Sequence, residues 1–300
     1  MSQEDGNYDN WAWLYNRTLG PDYLMYKRGF LKRTLVDRSP AGGRILDLCC
    51  GTGQMIAPLM QLGFEVTGLD YSADMLKYAC ENAPSAKLVH GDARNFSFDE
   101  TFDGVLSMSA SLNHMASLDD LGRVFGCVHR ALREGGVFVF DVNHPAQLSA
   151  YWRGQPAEGE IEADHAWLIT PRYDANQHTG AFTVDIWRRP SDAASTPIKD
   201  LTGRVLSLRR LNRLRLARLA RFGSFRPDWE HRSTDYPIRG HDLAEVEALL
   251  RKTGFEVSIE TINGDRTIDN RRAAHFVCQK LSVAAHPQQE QLNTNARSVS

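Results

Sequence analysis

Residues 44–54 read Arg-Ile-Leu-Asp-Leu-Cys-Cys-Gly-Thr-Gly-Gln. Ile45, Leu46 and Leu48 make a short apolar run of the kind that forms a buried strand. Gly51 and Gly53 follow, able to turn sharply and to bring bare backbone close to a ligand. Met55, Ile56, Leu59 and Met60 then recur at helical spacing, so the glycines sit where a strand turns into a helix. Such a turn is the usual cradle for a nucleotide-like ligand. Asp70 stands nineteen residues after Gly51 and closes a second apolar run, Val66-Thr67-Gly68-Leu69. An acid at that distance lies at the tip of the neighbouring strand, where a carboxylate can accept both hydroxyls of a ribose.

The competing ligands separate on the next few residues. A dinucleotide site wants a third small residue three positions after the second glycine, and Ile56 stands there. No Gly-Lys-Ser/Thr follows the turn, which removes the P-loop. S-adenosylmethionine has no phosphate and needs only the tight turn and the ribose acid. An ordinary strand-to-helix turn with chance glycines is the bland alternative, and Asp70 weighs against it.

Ile45–Gly53 resembles the first motif of class I S-adenosylmethionine-dependent methyltransferases. Gly68-Leu-Asp-Tyr-Ser-Ala-Asp-Met-Leu76 resembles their second, and His90-Gly-Asp-Ala93 their third. Phe102-Asp-Gly-Val-Leu106 is similar to the fourth strand of that family, and Leu132–Phe140 to the fifth. The resemblance implies an α/β fold: a Rossmann-like seven-stranded sheet with helices on both faces. It also implies cofactor contacts at Asp47, Cys49, Gly51, Thr52, Gly53, Asp70, Tyr71, Met75, Asp92, Ala93 and Met108. Within these, Asp92 and the amide of Ala93 would meet the adenine, with Tyr71 packing on its face.

The rest of the chain fits that alternation. Strands are expected near 44–48, 65–70, 87–90, 103–108 and 136–141, with helices over 54–62, 72–82 and 117–133. A helix over 241–252, stopped by Gly254, precedes strands 255–261 and 273–280. Residues 1–40 are aromatic-rich and read as a helical cover in two pieces, broken at Gly20-Pro21. The core is then 41–144 with 241–282, and 283–300 is polar and aperiodic, expected to be a disordered tail. Residues 145–240 interrupt the alternation. Ala166–Tyr173, Ala181–Arg188 and Trp229–Ile238 read as strands of an antiparallel β insertion after strand 5, a lid over the carboxyl edge of the sheet.

Inside the lid, residues 204–222 hold seven arginines and no acid. At helical spacing Leu208, Leu211, Leu214, Leu219 and Phe222 share one side; Arg209, Arg210, Arg213 and Arg221 share the other. Three readings stay open: a solvated amphipathic helix, a clamp for an anion or RNA backbone, and a membrane-surface or partner helix. Arg215 and Arg218 intrude on the apolar side, against the membrane version.

A formal charge of −2 gives no global attraction to nucleic acid or membrane, and 42% hydrophobic residues suffice for a core. The five cysteines show neither paired nor metal spacing, so no metal is expected. Reduced thiols, a polar N-terminus and the lack of an apolar run of about 20 residues suggest a cytoplasmic protein without a membrane span. Nothing in the sequence reads out the oligomeric state.

Methyl transfer from a sulfonium is an in-line displacement, so the protein mainly aligns its reactants. Trp11-Ala-Trp-Leu-Tyr15, Tyr26-Lys27 and Ser111-Leu-Asn-His114 resemble parts of glycine N-methyltransferase and its small-molecule relatives. That likeness implies that Tyr15 and His114 approach the methionine half of the cofactor. His114 is also the candidate base, with a structural loop role as its competitor. Where that enzyme carries an arginine for the glycine carboxylate, this chain has about Asn143, which argues against glycine. Asn143, Trp229, His231 and Tyr236 are the substrate candidates, although residues alternating along one strand cannot all face one pocket. The expected activity is methylation at nitrogen or oxygen of a small metabolite. The alternatives are RNA or protein methylation through the arginine run, and a non-catalytic cofactor-binding regulator.

Overall fold

The computed structural model describes residues 8–190 and 212–282. A 3-10 turn over Tyr8–Trp11 leads into α1 (Ala12–Arg17) and α2 (Leu19–Thr34). The break between them falls at Thr18, not at Gly20-Pro21. Thr18 turns its N–H and hydroxyl back onto the Leu14 carbonyl, at 3.0 and 2.7 Å. Pro21 lies in the first turn of α2, where an amide N–H has no intrahelical partner to lose.

The core then alternates: β1 (Arg44–Leu48), α3 (Ile56–Gln61), β2 (Glu65–Asp70), α4 (Ala73–Asn82), β3 (Lys87–His90), β4 (Phe102–Ser107), α5 (Leu118–Ala131), β5 (Leu132–Val142). Ser117 caps α5, its hydroxyl accepting from the Asp120 N–H at 3.1 Å. The short α6 (Pro145–Tyr151) opens the insertion. β6 (Glu158–Ile161), β7 (His165–Asp174), β8 (Thr179–Arg188) and β9 (Glu230–Arg239) form its four-stranded antiparallel sheet. α7 (Asn212–Leu219) and α8 (Phe222–Phe225) fall between β8 and β9. α9 (Leu243–Thr253), β10 (Phe255–Glu260) and β11 (Ala274–Lys280) complete the core.

The main sheet runs β10-β11-β5-β4-β1-β2-β3, with β11 antiparallel to both its neighbours. Alternate residues of its strands serve opposite faces, as the pleat requires. Leu46, Leu48, Phe138 and Phe140 pack with Phe125 of α5 and Leu250 of α9. Ile45, Val137 and Val139 pack on the other side with Phe30 of α2 and Leu59 of α3.

The insertion obeys the same parity. Trp167, Val184, Ile186 and Tyr236 face inward and share a core with Trp11, Leu14 and Leu19. Ala166, Leu168, Trp187 and Trp229 face outward and are covered by Leu219 and Phe222. The described part of the arginine-rich helix ends earlier than its spacing suggests. Its described part breaks after Leu219, and Leu214, expected on the apolar side, is 61% exposed. Arg204, Arg209, Arg210, Leu208 and Leu211 lie outside the described residues, as does the tail from 283. Among the described residues, no helix is long and apolar enough to cross a membrane.

Candidate active site

A cavity of about 590 Å³ opens at the carboxyl ends of β1, β2 and β4, roofed by the antiparallel sheet and the N-terminal helices. Its floor is the turn after β1. Cys49, Gly51 and Gly53 all adopt left-handed backbone, with φ of 59°, 54° and 73°. Glycine accepts this freely at two of the three positions, and Cys49 bears the cost at the third. Tight turns close the loop through Gly53 N–H to Cys50 O at 2.9 Å and Ile56 N–H to Gly53 O at 3.0 Å. A side chain at Gly51 would meet nothing closer than Tyr15 Cε1, at 3.9 Å, so the cavity itself lies over that backbone.

Asp70 stands beside this turn. Its Oδ2 accepts from the Gly51 N–H at 2.7 Å and its Oδ1 from the Ser72 N–H at 2.8 Å. Asp47, at the tip of β1, is 3% exposed, and its Oδ2 has no hydrogen-bond partner among the described residues. Burial first, and then the charge of Asp70, push its carboxyl up to about 8. Asp92 is gripped by the Arg94 side chain, with Nε at 3.0 and Nη2 at 2.6 Å, and the Arg94 contact chiefly holds its carboxyl low. Ala93, Met75 and Met108 are buried in the wall, and Tyr71 stands exposed at the rim.

Over the opposite end lies the loop after β4. Ser109 and Ala110 are consecutive non-glycine residues in left-handed backbone, with φ of 68° and 56°. Asp141, at the end of β5, holds this loop: its Oδ1 accepts from the Ala110 N–H at 3.1 Å. Lys27 of α2 donates to Asp141 Oδ2 at 3.1 Å and to the Ser109 hydroxyl at 3.2 Å. His114, four residues beyond Ala110, has both ring nitrogens engaged. Pro237 O, at 2.8 Å, accepts from Nδ1–H, so Nε2 accepts from the Tyr8 hydroxyl at 2.8 Å. Burial lowers its pKa, which keeps the ring neutral. Tyr15 completes this wall; burial lifts its phenol to about 12, against a hydrogen bond with Ser109.

The structure thus gathers Tyr15, Asp47, Cys49, Gly51, Asp70, Tyr71, Met75, Asp92, Ala93, Met108, His114 and Asn143 around one cavity. Thr52 and Gly53 shape the turn without lining it. Thr52 is 1% exposed, and a side chain at Gly53 would press on Ala79 at 3.1 Å. Three substrate candidates are not brought to the cavity. Trp229 and His231 lie on the outer face of the lid, His231 stacked on Trp187 at 4.7 Å and bonded to Asp185. Tyr236 points inward but is fully buried behind Tyr8 and Phe182, while its neighbours Pro237 and Ile238 reach the cavity.

Several lining residues carry little sequence signal. Asn113 joins three segments: its Nδ2 donates to Asn143 O and Arg239 O, and its Oδ1 accepts from the Asn143 N–H. Glu158, Trp152 and Phe182 come from the insertion, where only a strand's parity hints at orientation.

A family model described as a methyltransferase domain matches residues 45–136. An uncharacterized methyltransferase of Synechocystis sp. is 35% identical over 145 residues, 48% of this chain and 68% of that protein. The chain belongs to the class I S-adenosylmethionine-dependent methyltransferases. It is also similar to dTDP-3-amino-3,4,6-trideoxy-alpha-D-glucopyranose N,N-dimethyltransferase of Streptomyces venezuelae, 33% identical over 42% of this chain and 51% of that enzyme. The chain spans about half the length of such curated relatives. An S-adenosylmethionine-dependent methyltransferase of Clostridium acetobutylicum shares the fold at a TM-score of 0.68 and 16% identity, covering 92% of this chain and 99% of that one.

Proposed function

We propose that this methyltransferase transfers the methyl group of S-adenosylmethionine to a nitrogen or oxygen of a small metabolite held under the antiparallel sheet. One observation carries the reading: a single continuous cavity joins the Gly51 turn and Asp70 to Trp152, Phe182 and Ile238 of the lid. The residues present fit the cofactor. Gly51 leaves backbone uncovered, Asp70 is oriented at ribose distance by two amides, and the buried Asp47 Oδ2 lacks a partner among the described residues. The raised carboxyl of Asp47 suits a cationic ligand, whose charge would favour its ionised form, and Asp70 suits the ribose.

When bound, S-adenosylmethionine supplies an electrophilic methyl carbon. The chain's part is alignment and exclusion of water. Lys27 and Asp141 fix the loop that carries Met108 and His114 over the cavity. His114 is held neutral and pointed at Tyr8, which suits a positioning or proton-accepting role at the substrate end. The roof favours a small acceptor over a polymer, which needs an open groove. All five thiols are free, so a reducing, cytoplasmic setting is part of the proposal.

Purified protein supplied with methyl-labelled S-adenosylmethionine should pass label into low-mass metabolite fractions and not into tRNA. Labelling confined to tRNA or protein would overturn the small-metabolite reading.

A further inference from the structure

The acceptor half of the cavity has an unusual chemical balance. Five aromatic rings line it: Tyr8, Trp11 and Tyr23 from the N-terminal helices, and Trp152 and Phe182 from the lid, with Tyr15 between it and the Gly51 floor. Among the described lining residues, Glu158 of β6 is the one acid at this end. Burial first, and then the charge of Asp22 of α2, raise its carboxyl. Among the described lining residues, Arg94 is the one permanent cation, and it is committed to Asp92 at the far end. Lys27 is turned away into its pair with Asp141, and His114 is neutral. No free cationic side chain among the described residues lining the acceptor half is therefore available to pair with a carboxylate or phosphate.

Aromatic faces attract cations through their quadrupole, and more strongly where water is excluded. An adjacent carboxylate adds to that attraction and repels anions. We propose that the acceptor is an amine bearing no anionic group near the reacting nitrogen, recognised by the aromatic wall and by Glu158. This rests on the methyltransferase reading and narrows it. The charge ledger agrees. The bound ammonium first gives up one proton to water at the mouth; the lone pair so freed forms the N–C bond as the C–S bond breaks, and the positive charge passes from sulfur to nitrogen. The new ammonium then stands among the rings and beside Glu158.

The test uses full-length protein saturated with S-adenosylhomocysteine and three probes of similar shape: phenethylamine, 2-phenylethanol and 3-phenylpropionate. Calorimetry should show the amine binding about tenfold more tightly than the alcohol, the size of one cation–aromatic contact. The propionate should be weakest. Glu158→Gln should remove most of the amine's lead, and Trp152→Ala should reduce it, while S-adenosylhomocysteine affinity reports that the floor is intact. Equal affinity for the three probes, a preference for the propionate, or no amine binding to the loaded protein overturns the proposal. So does an unchanged amine-to-alcohol ratio in Glu158→Gln. Failure of S-adenosylhomocysteine itself to bind would instead remove the methyltransferase reading.

Discussion

Lys27 Nζ lies 3.1 Å from Asp141 Oδ2, with the two side chains only 6% and 7% exposed. One belongs to the N-terminal cover and the other to the last parallel strand of the core, so the cover is built into the fold. Breaking a buried pair from one side leaves an uncompensated charge, which costs about 3–5 kcal/mol. Lys27→Met should lose stability of that order in denaturant melts, and adding Asp141→Leu should restore much of it. Burial alone would raise the Asp141 carboxyl, but Lys27, His275 and the Ala110 N–H outweigh it and hold it low. Its stabilisation is thus complete above the unfolded carboxylate value of about 4 and is lost as pH falls through the lower folded value. A melt series showing the same acid limb in wild type and in the double variant would contradict this.

Asp70 orients the site through two amides and is the expected ribose acceptor. Asp70→Ala should cost about 1–3 kcal/mol of S-adenosylhomocysteine affinity, because hydroxyls lose a charged acceptor. Unchanged affinity by calorimetry would remove Asp70 from the cofactor site.

The floor of this cavity was legible in the sequence because it is local. A strand, two glycines and an acid at the next strand tip are set by spacing, and the strands fall within a residue or two of their expected places. The exception is β5, which begins four residues earlier than its apolar run suggests. The roof was not legible in the same way. Tyr8 meets His114 across 106 positions and Lys27 meets Asp141 across 114, and no periodicity encodes such pairs. Trp229 and His231 carry the composition of site residues, yet strand parity turns them outward, and only the register of β9 against β8 decides that.

Backbone strain at the glycine turn gives a paired test. Gly53→Ala adds a left-handed penalty of about 1–2 kcal/mol and a 3.1 Å clash with Ala79. Gly42, at φ 70° with open space around it, should bear the penalty alone when changed to Ala. Gly53→Ala should therefore melt lower than Gly42→Ala, and Cys49→Gly should relieve strain and melt no lower than wild type. An identical loss in both alanine variants would show that the contact with Ala79 is not felt.

His241 is 2% exposed, and its Nε2–H donates to Met115 O at 3.0 Å. Burial brings its pKa down to about 4, so the folded chain holds it neutral. The unfolded state binds the extra proton first. Stability should then fall as pH drops from about 6.5 to 4, by up to about 3 kcal/mol from this group. His114 and His275, also lowered by burial, act in the same direction. His241→Gln keeps a donor for Met115 O and cannot titrate, so its melting temperature should depend less on pH in that window. Parallel pH profiles would show that the ring charges without penalty.

The described arginines of the basic stretch stand away from the cavity. Arg213 and Arg221 are exposed on the outer side of the lid, and neither lines the chamber. Exposed charges contribute little to stability, and the small-metabolite reading gives these two no catalytic task. Arg213→Ser with Arg221→Ser should leave methylation of low-mass acceptors within about twofold of wild type, a change of under 1 kcal/mol. Phosphate-backbone recognition behaves differently, because each neutralised phosphate steepens the loss of affinity with rising salt. The decisive measurement is tRNA binding by wild type and by the double variant across a salt series. Binding that is weak in both, with methylation retained, supports a lid whose basic face is only solvated. Tight, salt-sensitive tRNA binding that the double variant loses along with its activity would give this face a substrate and put RNA methylation ahead of the small-metabolite reading.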